Sequence, residues 1–212
     1  MRTMMKITRP MKPLKSRAAA AALLGCLLLA GCASVKKPQA ELFDLGLASP
    51  AAAMPALPPL ALAEVNAPEW LDSPAIFYRL AYASARQPRP YAHSRWSMPP
   101  AQLFAQRLKS RIGQAGGTLV SASDGATGVP VLHLEADELS QVFDSAERSD
   151  GMVAMRLSVL NGKRLVGQKS FVRRMPATSL DAAGGVEAIA AASDAVIADM
   201  LLWLASLDLR AQ

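Results

Sequence analysis

Cysteine is almost missing from this sequence. Two occur in 212 residues, Cys26 and Cys32, both within the first 32. The ~180 residues that follow can form no disulfide, thiolate zinc site or cysteine nucleophile, and must hold together by burial alone, which a single domain of that length can do. Histidine is scarce too: His93 and His133 lie far apart without metal-ligand spacing, and His133 sits among strand formers, where a structural role is expected. There is no Walker loop, no G-x-G-x-x-G and no G-x-S-x-G, so the motifs that cradle nucleotides or present a nucleophilic serine are missing. Glu135, Asp137 and Glu138 cluster in one run. Paired carboxylates in a cleft would make a hydrolase; a solvated, charged face is the expected reading. No catalytic residue, metal ligand or cofactor is therefore expected.

Acidic residues are absent from the N-terminal region, the first being Glu41. Arg2, Lys6, Arg9, Lys12, Lys15 and Arg17 make a basic opening, and Met11 starts a second basic segment, "MKPLKSR", that would serve equally as the beginning of the chain. The apolar run Ala18–Ala30 is thirteen residues long, short of the ~20 that span a bilayer. A basic start, a short apolar core and a small-residue exit describe a secretory signal peptide. Leu29-Ala30-Gly31-Cys32 resembles the bacterial lipobox, in which small residues let the lipoprotein signal peptidase reach the bond before Cys. Leu24-Gly25-Cys26 is a poorer copy, with a bulky residue at its second position. By that resemblance Cys32 becomes an acylated N-terminus and anchors the chain to a membrane; several acyl chains suffice because each buried CH₂ contributes ~0.8 kcal/mol. Ala33 stands where Asp would retain a lipoprotein at the inner membrane, so the periplasmic face of the outer membrane is expected. The expected organisation is a signal peptide (1–31), an acylated Cys and polar tether (32–40) and one folded domain (41–209). Ser34-Val35-Lys36-Lys37 matches S-x-x-K by letter but belongs to the tether.

Removal of the signal peptide changes the charge balance. Six of the 23 basic residues and none of the 17 acids precede Cys32, which leaves 17 against 17. The high pI belongs to the discarded peptide, and nucleic-acid binding, which needs a basic excess on the folded domain, has no support.

Beyond the tether, "ELFDLG" reads as a short strand and the Pro/Ala-rich residues 47–59 as a surface loop. Residues 60–68 are apolar enough for a strand buried on both faces, and 75–82 alternate as a strand. Ser97 before Pro99-Pro100 marks a helix start, with Ser97 as cap; Phe104, Leu108 and Ile112 line its apolar face, and Gly116-Gly117 end it. Residues 118–123 are a short strand. Residues 129–145 are a long one whose apolar parity shifts around Ala136–Leu139, which predicts a bulge. In 151–160, Val153, Met155, Leu157 and Val159 share one face; Asn161-Gly162 then turns the chain into a returning strand, 164–174. A last helix runs from Ser179 or Asp181 to Leu207, with Val186, Ile189, Val196, Ile197, Met200, Leu204 and Leu207 as its stripe. The expected fold is a single α/β domain: a mixed, largely antiparallel sheet with two principal amphipathic helices.

Several segments recur in a recognisable order: Phe43-Asp44-Leu45-Gly46; Pro68-Glu69-Trp70-Leu71; Tyr78-Arg79; the run Tyr91, Arg95, Trp96, Pro99, Pro100 leading into a helix; and "LEADELSQVFDS". Over nearly all of residues 41–207, leaving out 47–59, the chain resembles the ABC-type transport auxiliary lipoprotein family, lipoproteins encoded beside MCE-type lipid transport systems, including the paraquat-inducible system. The resemblance implies a non-enzymatic coupling module that docks an MCE-family protein and ABC transporter subunits and helps move phospholipid or another hydrophobic molecule between membranes. The ATPase of such a system is cytoplasmic, so no nucleotide site is needed here. A second reading is a carrier holding lipid in its own enclosed apolar pocket of several hundred Å³; a third is a periplasmic hydrolase.

Four residues are candidates for partner binding. Tyr91 and Trp96 flank a helix start, where an aromatic can staple the incoming chain, and Arg95 is placed to bridge to Asp72 or Asp44; the same residues could form a partner surface. Trp203 lies in "MLLWLASL", which has more apolar surface than one sheet-facing side can hide. It is expected at the edge of the core or on a surface for self-association or docking, the other reading being a helix squeezed between the sheet and loop 47–59.

Overall fold

The strand with the clearest alternation organises the rest. β7 (Ser149–Asn161) buries Val153, Met155, Leu157 and Val159 completely. It pairs antiparallel along its length with β6 (Val131–Phe143) on one side and β8 (Arg164–Pro176) on the other. The β7–β8 turn centres on Gly162 and Lys163, one residue beyond the expected Asn-Gly centre. Gly162 takes φ +60°, the left-handed conformation that a type II′ turn requires at its first central residue. The computed structural model describes residues 39–47 and 57–209; the signal segment, Cys32, the tether through Pro38 and most of the Pro/Ala-rich stretch lie outside the described residues.

β6 carries the expected bulge. Its register against β7 shifts between Ala136 and Glu138, leaving Asp137 as the extra residue. Leu132, Leu134 and Ala136 face the core before it, and Leu139, Gln141 and Phe143 after it; inserting one residue switches the inward parity. The bulge also divides the edge of β6 that β7 does not occupy. The first half pairs in parallel with β2 (Leu60–Leu62), which pairs with β5 (Leu119–Ser121). The last residues pair in parallel with β3 (Ala75–Leu80), which continues through β4 (Arg89–Trp96) to β1 (Glu41–Phe43). The eight-stranded sheet is mixed: its long ladders are antiparallel, and its short outer ones, β3–β4 apart, are parallel.

Two expectations change here. The strand expected over 60–68 stops at Leu62. Ala63 N–H donates to Leu132 O and Asn66 N–H to Leu134 O, so three steps on this segment span two on β6 and the ladder breaks. The strand expected through residue 82 ends at Leu80, and the short helix α1 (Ala81–Ser84) follows.

Helix α2 (Pro100–Gln114) starts at Pro99, not Ser97, and has no side-chain cap. Pro100 has no N–H to satisfy, and the Ser97 N–H is used to bind Phe43 O at 2.7 Å, tying the helix start to β1. Phe104, Leu108 and Ile112 are fully buried, and Gly117 N–H closes the helix on Ile112 O at 2.9 Å. Helix α3 (Ala182–Ala205) begins where Asp181 accepts the Gly184 N–H at 3.0 Å. That bond, with one from the Ser179 hydroxyl, holds the Asp181 carboxyl below its ordinary pKa. At 24 residues and mean hydropathy 1.7, α3 could cross a membrane by length and composition. In the fold its stripe, Val186, Ile189, Val196, Ile197, Met200 and Leu204, is buried in the core, and α3 lies on β7, β8 and β6 with α2 beside it. The approach is close: a Cβ on Gly151 of β7 would stand 2.3 Å from Ile189 N.

Candidate docking surface

Along β4, whose register against β3 is irregular, Ser94 and Trp96 are buried and Tyr91 and Arg95 half-buried. Trp96 is 1 % exposed and its indole Nε1–H has no hydrogen-bond partner, so it acts as an apolar core group. The Tyr91 ring lies 4.7 Å from that of Tyr78. Its hydroxyl donates to Gln141 Oε1 at 2.6 Å, and the buried Gln141 amide donates onward to Ser149 Oγ at 2.8 Å. Burial, with smaller effects from Tyr78 and Asp181, pushes the Tyr91 phenol well above its ordinary range, so it stays protonated as donor. Tyr91 thus ties β4 to β6 and β7. Arg95 does not reach Asp72 or Asp44. Its guanidinium donates to the carbonyls of Tyr91 and Ser94, while Asp44 accepts the Gly46 N–H at 2.6 Å.

Trp203 lies elsewhere, in the last turn of α3 over β8. The strand order puts β3, β6 and β7 between β4 and β8, so the four candidate residues do not form one site. Trp203 is half-buried, its ring edge-on to Phe171 at 5.7 Å, and it packs over Gly167, whose Cβ position is 3.1 Å from Trp203 Cζ2. Beside it Leu202 and Val172 are 56 % and 53 % exposed. An open cleft of about 510 Å³ separates the end of α3 from β8, lined by Phe171, Val172, Arg173, Asp199, Leu202 and Trp203 among others.

The acidic run of β6 is paired with arginine. Glu135 and Asp137 both pair with Arg156, at 3.0 and 3.5 Å. Glu138 forms a two-pronged bond with Arg79 at 2.8 and 3.0 Å, and Arg79 lies 5.2 Å from the Trp70 ring centre. These are ion pairs across neighbouring strands, an arrangement that holds the sheet together rather than a carboxylate pair facing a substrate cleft. The clefts that border the helices, of about 230 to 560 Å³, are all open to solvent.

Sequence reasoning missed the most buried charge cluster. Arg107 and Arg111, one turn apart on α2, are 7 % and 8 % exposed. Both bind Asp194 of α3, at 2.6 and 2.8 Å. Arg107 also donates to the carbonyls of Leu45 and Gly46 at 3.0 and 2.7 Å. Each arginine immediately precedes a core residue, Leu108 or Ile112, which was the available signal; the partner 87 residues away was not. Burial acts to raise the Asp194 pKa, but the hydrogen bonds and charges of the two guanidinium groups outweigh it and hold the carboxyl below its ordinary value.

Two solved structures share the fold. A protein from Xanthomonas campestris superposes with a TM-score of 0.65 at 17 % identity, covering 76 % of this chain and 93 % of its own. An uncharacterized protein superposes at 0.62 with 14 % identity, covering 78 % and 99 %. Comparison with curated proteins gave no match. The sequence matches the ABC-type transport auxiliary lipoprotein component over residues 43–201, most of the β-sheet and both long helices. A transport auxiliary lipoprotein is not a class of enzyme, and its lipid attachment puts it at a membrane. Matched over residues 43–201, the chain belongs to the ABC-type transport auxiliary lipoprotein component family.

Proposed function

We propose that this lipoprotein is a docking module: anchored through Cys32 on the periplasmic face of the outer membrane, it couples an MCE-type ABC transport system to that membrane so that lipid or another hydrophobic molecule can pass. The observation that carries this reading is the match to the transport auxiliary lipoprotein family over residues 43–201, in a chain whose folded part follows a lipobox and a tether of eight residues, 33–40. Extended, those eight reach at most about 29 Å, which keeps the domain close to the bilayer. A carrier would need an enclosed apolar cavity, and the clefts bordering the helices do not supply one. The proposed organisation is a cleaved segment 1–31, an acylated Cys32 with its tether to residue 40, and a folded domain over 41–209. Tyr91, Arg95 and Trp203 are the accessible members of the proposed partner-binding set, and self-association through the Trp203 end of α3 belongs to the same proposal.

The test is co-purification of the full-length protein from detergent-solubilised membranes, with partners identified by mass spectrometry. Recovery of an MCE-family protein or ABC transporter subunits supports the reading. Recovery of stoichiometric phospholipid on the monomeric protein, without those partners, would favour the carrier.

A further inference from the structure

We propose that the outer edge of β8, with the apolar rim of α3 beside it, takes up an extended acidic segment of a partner as an added strand. The inference rests on the docking reading above and names the surface and the chemistry it selects. β8 is 13 residues long and pairs only with β7 among the described residues. Edge strands are usually kept short, covered or bulged away, and β8 is long. The Ala177 N–H donates to Ser149 O at 2.9 Å. Counting back by twos along an antiparallel ladder, Gln168, Ser170, Val172 and Arg174 point their N–H and C=O groups away from β7. Main-chain groups on such an edge bind any extended chain; side chains around it decide which.

Here those side chains are of one sign. Lys163, Arg164, Lys169, Arg173 and Arg174 lie on the turn and strand, and no acid occurs from residue 162 to residue 180. Arg173 is neutralised by Asp199, and Arg174 by Asp144 and Asp150. Lys163, Arg164 and Lys169 make no ion pair among the described residues, Lys169 lying 5.3 Å from the Phe171 ring centre. A second copy of this edge would set like charges side by side, which disfavours β8-to-β8 pairing. An acidic strand would meet three uncompensated cations. Val172, Leu165 and Leu202 are each more than half exposed, and the cleft floored by Trp203 gives apolar side chains a place to enter. The sheet path β1-β4-β3-β6-β7-β8 puts this edge opposite β1, about 24 Å away along the sheet at ~4.8 Å per strand.

The experiment uses the full-length protein in detergent micelles. The probe is a synthetic peptide of about ten residues alternating Glu and Val, and the control alternates Lys and Val. Amide exchange at Gln168, Ser170, Val172 and Arg174 should slow at least about tenfold with the acidic peptide alone, and binding should weaken about tenfold between about 50 and 500 mM salt. Val172→Pro removes an outward N–H without touching the β7 ladder, and should abolish protection at unchanged melting temperature. Should that variant be destabilised, Arg164→Glu with Lys169→Glu should lose the acidic peptide and gain the basic one. Unchanged exchange, equal binding of both peptides, or protection by phosphatidylglycerol vesicles in place of the peptide would overturn the proposal. Those results leave co-purification of transport partners unaffected, so this inference can fail while the docking reading stands.

Discussion

Asp194→Ala is the most informative perturbation of this fold. It removes the carboxylate that Arg107 and Arg111, 7 % and 8 % exposed, both bind. Arg107 would keep the carbonyls of Leu45 and Gly46, and Arg111 its contact with Gln114 at 3.5 Å among others, but both would lose the carboxylate that they share. Breaking a buried ion pair from one side costs about 3–5 kcal/mol. The Asp194 side chain retains 25 % exposure, so water can enter the vacated position, and the lower end, about 3 kcal/mol, is expected. For a domain of this size that is a fall in melting temperature of roughly 6–12 °C, measurable by circular dichroism at pH 7. The pH dependence has a definite sign. Asp194 titrates below its ordinary value in the folded protein, so its stabilisation is complete above the unfolded-state pKa of about 4 and is lost as pH falls through the folded value. The gap between wild type and variant should narrow in acid. Arg107→Met, Arg111→Met and Asp194→Leu together should recover most of the loss, since no charge is then left buried. A loss below about 1 kcal/mol for Asp194→Ala would refute the reasoning, because it would mean the guanidinium groups are solvated without the carboxylate.

Gly151→Ala should destabilise by about 3 kcal/mol in urea titration, since the new methyl would meet helix backbone at Ala188 and Ile189, which cannot swing aside as a side chain can; near-neutrality would show that α3 can lift off β7. Trp203→Ala should cost about 2 kcal/mol, less than the 3–5 of a core tryptophan, because the ring is only half-buried against Phe171; sedimentation velocity reads self-association in the same variant, and a loss of about 4 kcal/mol or more would make Trp203 a core residue and end its role at a surface. Cys32→Ala should give a soluble or unprocessed protein, and fully processed membrane lipoprotein from that variant would refute the acylation site. Ala33→Asp should move the protein toward the inner membrane on a sucrose gradient; an unchanged position would sink the sorting argument.

Elements whose signal is local were legible without the structure. β7 shows its period in ten residues, the parity change in 129–145 announces the bulge at Asp137, and the 3.6-residue stripe of α3 gives six residues of its buried face, Val186 to Leu204, while Leu207, expected in the same stripe, falls beyond the helix end and is half-buried. Each follows from strand or helix geometry acting on neighbours in the chain. Helix caps were less legible: Asp181 holds its helix as a local pattern suggests, but the helix expected to be capped by Ser97 begins after Pro99 with no side-chain cap, and Ser97 is tied through its N–H to Phe43 O, a partner brought in by β1. The same holds for 60–68, where the break after Leu62 depends on the register against β6.

For the candidate site the division is sharper. Sequence alone supplied the order of motifs that leads to the family, and with it the expectation of a lipobox at Cys32 and of equal numbers of basic and acidic residues once 1–31 is removed. All are properties of composition and spacing, and no fold is needed to state them. Only the tertiary structure decided that Trp96 is inside and Trp203 on the rim, that Tyr91 donates to a buried glutamine, that Arg107 and Arg111 share one carboxylate, and that β8 pairs only with β7 among the described residues. Burial and pairing depend on residues 50 to 87 positions apart meeting in space, and a linear pattern records which side of its own helix or strand a residue occupies, but not which distant group arrives to face it.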